Sequence, residues 1–149
     1  MRLGSYRPEI AGNMGALLRL AACFDVGLDV VEPCGFVWDE ARMRRAGMDY
    51  AARVAVARYA DWASLRAAAF GRIVLLTTAG DVRLPDFGFA PDDLLLLGSE
   101  SAGVPAKVAR QCDARVRIPI QPTVRSLNVA VAAALALGEA VRQTQGWPS

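Results

Sequence analysis

The chain contains no histidine. That absence removes the Ser-His-Asp and Cys-His nucleophile systems, the iron site built on two histidines and a carboxylate, His-containing zinc sites and every imidazole general base. Cysteine is scarce as well. Cys23, Cys34 and Cys112 are the only three in 149 residues, too few and too scattered for a zinc cage, so no metal is expected. An odd cysteine count without a signal peptide points to reduced thiols and a cytoplasmic protein. No apolar run approaches the length of a membrane span, and a soluble protein is expected. Excess charge is missing too: 17 basic and 15 acidic side chains leave a net charge of +2, too little for nucleic-acid affinity from bulk charge. Any RNA contact has to be local. Lys107 is the single lysine and every other basic residue is arginine, which favours planar, bidentate recognition of phosphate or carboxylate.

What the chain does have is apolar content, 54% against 21% charged, with a mean hydropathy of +0.25. Disorder is excluded, and the length fits one domain over residues 1–149. Strands are expected at 3–6, 28–32, 53–59, 72–78, 93–97 and 115–120, and helices at 14–25, 38–46, 61–70, 105–112 and 126–143. Residues 73–76 and 94–97 are continuously apolar, the pattern of strands covered on both faces. The fold class this predicts is α/β, a mostly parallel sheet with helices on both faces.

The first helix has Asn13 as a candidate N-cap, an apolar stripe at Met14, Leu17, Leu18, Ala21 and Ala22, and Gly27 just past its end. The last helix has no polar side chain from Val129 to Leu137, so it is expected to be buried on every side. Either the body of its own fold or a partner subunit must cover it. The positive hydropathy favours the partner, hence a homodimer through the first and last helices.

Three segments can carry chemistry. In the first helix, Arg19 has Gly15, Ala16, Ala22 and Cys23 as its neighbours three and four positions away, so no carboxylate on that helix can pair with it. It is either a solvated surface arginine or a functional charge. The second segment is Gly98-Ser99-Glu100-Ser101-Ala102-Gly103-Val104-Pro105, which follows a buried strand. Ligands collect at the carboxyl ends of strands in open α/β sheets, and Gly98 would let backbone approach one closely. An ordinary strand-to-helix turn, with Glu100 favouring the helix N-terminus, reads equally well. Neither phosphate-binding glycine fingerprint is present. The third segment runs from Arg117 to Asn128, where Ser126 could cap the last helix, contact a ligand or do both. The basic cluster Arg42, Arg44 and Arg45 reads from composition as a solvated helix face.

The order of these segments is more specific than any one of them. Tyr6-Arg7-Pro8-Glu9-Ile10 with Asn13, Gly15 and Arg19; Glu32-Pro33-Cys34-Gly35-Phe36-Val37-Trp38-Asp39; Arg44-Arg45-Ala46-Gly47-Met48-Asp49-Tyr50; the 98–105 segment; and Arg117-Ile118-Pro119 with Ser126-Leu127-Asn128 together resemble the SpoU family of the SPOUT methyltransferases. The resemblance covers nearly the whole chain, and within the family it is nearest to the small single-domain 2′-O-methyltransferases of the tRNA wobble cytidine or uridine. It implies a C-terminal trefoil knot, S-adenosyl-L-methionine as cofactor, the tRNA anticodon stem-loop as substrate, and a homodimer whose second subunit helps complete the site. It places cofactor contacts at Leu76, Gly98, Ile118, Ser126 and Leu127, catalytic roles at Arg19, Glu100 and Asn128, and RNA contacts at Asn13 and Arg45. Relatives often differ at Ala51, Ala102, Ala130 and Gly138, positions outside the cofactor motifs.

Transfer of a methyl group to a ribose hydroxyl needs an aligned nucleophile and dispersal of charge as the proton leaves. A guanidinium is a poor base, so the expected role of Arg19 is electrostatic stabilisation of the developing alkoxide and clamping of phosphate. A rival from another class is an RNA-binding module or inactive relative without catalysis.

Overall fold

A computed structural model of the chain describes residues 1–39, 41 and 49–149. The helix expected at 38–46 falls largely outside the described residues, as does Arg45. Seven strands form one sheet: β1 (Arg2–Tyr6), β2 (Gly27–Val31), β3 (Val56–Tyr59), β4 (Ile73–Leu76), β5 (Val82–Arg83), β6 (Leu94–Leu97) and β7 (Ala114–Arg117). Their spatial order is β3-β2-β1-β6-β4-β7-β5, and every pairing is parallel. The chain fills the sheet out of sequence, with β6 between β1 and β4 and β7 beyond β4. That order is consistent with the C-terminal trefoil knot that the resemblance implies.

Strands β4 and β6 are buried along their whole length, as their unbroken apolar runs predict. Helices cover both faces. On one side lie α1 (Ala11–Phe24) and α4 (Val129–Thr144), and on the other α2 (Trp62–Ala68) and α3 (Ala106–Gln111). The larger core cluster joins Met14, Leu17 and Leu18 of α1 to Ala133, Ala136 and Leu137 of α4 through Leu95 and Leu97. Each fully buried leucine there contributes about 2 kcal/mol of apolar transfer free energy. The smaller cluster seats Leu65 and Val108 on Ile73, Leu75, Leu94 and Leu96.

Several expected boundaries move for local reasons. Helix α1 starts at Ala11 and takes Asn13 into its first turn; its N-cap is Ile10, which has no capping side chain. It ends at Asp25, a left-handed residue whose N–H returns to Ala21 and Ala22, so Gly27 opens β2 instead of closing the helix. Residues 49–53 form a 3-10 turn, which shortens β3 to Val56–Tyr59. The last helix begins at Val129, and its N-cap is Asn128 in place of Ser126: the Asn128 side chain accepts from the N–H groups of Ala130 and Val131 at 2.9 and 3.3 Å. Helix α4 also has an open side. Ala133 and Leu137 are fully buried within the single chain, but Val131 and Leu135 are 48% and 47% exposed.

Candidate active site

Beyond the carboxyl ends of β4 and β6, the loop 77–79, the turn 98–104 and the segment 118–128 enclose a cavity of about 720 Å³. Parallel sheets open their ligand sites at this end, and the volume is that of a site for a nucleoside-sized molecule. Leu76, Leu97, Val116, Ile118 and Leu127 give it apolar walls, while Ser99, Ser126 and the backbone at Gly98 add polar edges. All five residues expected to contact a cofactor line this one cavity, although they come from three separated segments. The walls fit an adenine ring and the polar edges fit the donors and acceptors of a nucleoside.

Gly98 has a further reason to be glycine besides close approach of a ligand. A Cβ there would stand 2.6 Å from the backbone of Gly103. The turn closes on itself: Ser99 and Gly103 exchange N–H···O bonds of 2.9 Å each, and Gly103 sits at φ +64°. Gly98 therefore shapes the turn that forms the cavity wall.

A polar chain runs along the rim. Glu100 accepts from the backbone N–H groups of Glu9 and Ile10 at 2.8 and 3.2 Å and from the Asn13 amide at 3.2 Å. The Asn13 carbonyl in turn accepts from the Asn128 amide at 3.0 Å. Glu100 thus serves the N-terminus of α1, where the exposed N–H groups and the helix dipole favour an anion; the expectation that it would serve its own following helix does not hold. In return, Glu9 accepts from the hydroxyl and N–H of Ser101 at 2.6 and 3.2 Å. That hydroxyl, followed by the N–H, holds the Glu9 carboxyl below its ordinary pKa. The 98–104 turn, α1 and α4 are tied at one point.

The structure therefore brings together Asn13, Glu100 and Asn128 at the rim and Leu76, Gly98, Ile118, Ser126 and Leu127 on the walls. Arg19 is not part of that lining. It stands exposed on α1, with its guanidinium 5.5 Å from the centroid of the Tyr50 ring. Burial pushes the Cys112 thiol up to about 11 and raises that of Cys34 as well, the reverse of what a nucleophilic thiolate needs. Among the described residues no group of three His, Cys, Asp or Glu side chains could hold a metal ion, and no helix is long and apolar enough to cross a membrane. Sequence reasoning missed the Glu9–Ser101 clasp and Tyr50. Pairs separated by 92 and 31 residues carry no local periodicity to reveal them.

The profile of the SpoU rRNA methylase family matches residues 1–138. The tRNA (cytidine(34)-2′-O)-methyltransferase of Beijerinckia indica subsp. indica is 50% identical over 144 residues, 95% of this chain and 90% of that protein. A solved structure concerned with the 2-OH methylation of C/U34 on tRNA superposes with a TM-score of 0.91 at 35% identity, over 97% of this chain and 96% of that one. The SpoU methyltransferase AviRb from Streptomyces viridochromogenes, solved in complex with AdoMet, gives a TM-score of 0.83 at 31% identity, over 97% of this chain and 60% of that one. With its sheet order, its cavity and these matches, the chain belongs to the SpoU rRNA methylase family.

Proposed function

We propose that this chain is a tRNA 2′-O-ribose methyltransferase that modifies the wobble cytidine or uridine of the anticodon with S-adenosyl-L-methionine, in the cytoplasm where tRNA is used, and that residues 1–149 act as one methyltransferase domain. The observation that carries the reading is the polar chain Glu100–Asn13–Asn128 on the rim of the cavity. When bound, the cofactor supplies a methyl group on a positively charged sulfur. Leu76, Ile118 and Leu127 exclude water from it, with Gly98 and Ser126 at its edge. Asn13 and Asn128 orient the ribose of the target nucleotide, and Glu100 holds Asn13 in place. Arg19 would draw the nucleotide's phosphate and stabilise the 2′-oxygen as the hydroxyl proton passes to water or phosphate.

The test is calorimetric titration with S-adenosylmethionine alongside methylation of an anticodon stem-loop transcript. Micromolar binding and a nuclease-resistant dinucleotide at the wobble position are the expected results. Ala79→Trp, on an exposed loop at the cavity edge, should weaken cofactor binding about tenfold or more by filling the space. A methyl group on a base would overturn the reading, and binding without any transfer would favour the inactive relative.

The active form is a homodimer. Its support is an uncovered apolar stripe: Gly12, Ala16 and Cys23 on α1 and Val131, Ala134 and Leu135 on α4 are exposed side by side on one face of the sheet. Arg19 lies on the same stripe of α1, so a second copy seated there completes the site. Ala133, fully buried in its own chain, cannot report on this interface, but Leu135 can. Leu135→Glu should give a folded monomer in light scattering and lose methyl transfer, whereas a persistent dimer would contradict the assignment.

A further inference from the structure

We propose that Tyr50 is a positioning residue for Arg19, holding the guanidinium fixed while leaving its charge and its N–H groups free for the RNA. The proposal rests on the catalytic role given to Arg19 above. Four arginines among the described residues lie over aromatic rings: Arg7 on Tyr6, Arg19 on Tyr50, Arg58 on Trp38 and Arg72 on Phe87. Arg58 and Arg72 are also bound to Glu32 and Asp93, so their charge is neutralised and their donors are used. Arg19 makes no ion pair among the described residues, and Gly15, Ala16, Ala22 and Cys23 beside it on α1 offer no acceptor side chain.

The ring that meets Arg19 belongs to a well-anchored element. Residues Asp49–Arg53 form a 3-10 turn against α1, and Ala51 and Val54, on either side of its end, pack on the main core cluster. Tyr50 is itself half-buried. An aromatic face attracts a cation through its quadrupole but takes no hydrogen bond in the guanidinium plane. A carboxylate in the same place would occupy two of the five N–H donors and cancel the charge. Stacking therefore restricts the many rotamers of a long side chain without consuming the donor fork, which is what stabilisation of a developing oxyanion requires.

The test is a double-mutant cycle on the full-length protein, with kcat for the anticodon stem-loop, the KM for that RNA and the calorimetric affinity for S-adenosylmethionine measured in each member. Arg19→Ala should lower kcat about a hundredfold. Tyr50→Leu should lower it about tenfold, the size expected when one cation–π contact is lost, with cofactor affinity unchanged. Tyr50→Phe keeps the ring and should restore about half of native kcat or more. In the Arg19→Ala background, Tyr50→Leu should cost nothing further. Losses that multiply in the double variant, a Tyr50→Phe as impaired as Tyr50→Leu, or a Tyr50→Leu at the native rate would each overturn the positioning role while leaving that of Arg19 standing. A native rate for Arg19→Ala would instead remove the role of Arg19 itself, and the proposal with it.

Discussion

The two ends of the sheet treat charge in opposite ways. At the amino ends, an aspartate stands immediately before β6 and before β7, and each is matched to an arginine. Asp93 precedes β6 and pairs with Arg72, and Asp113 precedes β7 and pairs with Arg66. Asp93 is fully buried; it takes two bonds of 2.8 Å from Arg72 and a third from the N–H of Ala90. Asp113 also accepts from the N–H of Ile73 at 2.7 Å, so it closes the start of β4. At the carboxyl ends the carboxylates bind backbone and amides instead. Glu100 and Glu9 hold N–H and hydroxyl groups, and Arg125, on the cavity lining, makes no ion pair among the described residues. The Arg58–Glu32, Arg83–Asp86 and Arg115–Asp81 pairs are exceptions on that side, but none of these residues lines the cavity. One end uses its charges to close the fold, and the other leaves Arg125, on the cavity lining, available to a ligand.

The sharpest way to break this division is at its most buried charge. Arg72→Ala leaves the Asp93 carboxylate inside the protein with the N–H of Ala90 as its remaining partner. The loss should be about 2 kcal/mol of stability, on the lower side for a broken buried pair because Arg72 is itself half in water. A lower urea midpoint with unchanged cofactor affinity in the folded protein is the expected outcome. If the affinity collapses while the midpoint stays, the amino end is not merely structural.

The same division explains what could be read from the sequence. The strands β4 and β6 announced themselves as unbroken apolar runs, and α1 as a stripe at helical spacing, because burial writes a local period. The order β1-β6-β4-β7 has no such period, since it depends on which strand edges are left open as the chain folds back. Strand β5, two residues long, fell below any pattern. At the site, the cavity residues were placed by family motifs, and the structure then gave one of them a further reason and moved the capping role of another. Gly98 answers to the backbone of Gly103, and the capping role expected of Ser126 belongs to Asn128. Either residue could cap the helix on side-chain chemistry alone. The helix starts at Val129, which makes Asn128 the cap, and its amide also meets Asn13, 115 residues away in the chain.

The smallest expected effect lies at the carboxyl end, in the Glu9–Ser101 clasp. Its carboxyl is held below the ordinary value of 4.5 chiefly by the Ser101 hydroxyl. A lowered folded-state pKa means that the charged form stabilises the fold above that ordinary value and that the contribution fades as the pH falls through the lowered one. Glu9→Gln keeps an acceptor for Ser101 but removes the charge, and Glu9 is exposed to solvent, so the change in melting temperature at neutral pH should be well below that of Arg72→Ala. The gap between native protein and Glu9→Gln should narrow on acidification and close once the pH lies below the lowered value. Because the clasp holds the 98–104 turn against α1, cofactor affinity should weaken slightly in Glu9→Gln at neutral pH. A melting gap that widens in acid would show that Glu9 is not the charged partner of Ser101. An affinity untouched by the substitution would show that the turn keeps its shape through the Ser99–Gly103 bonds alone.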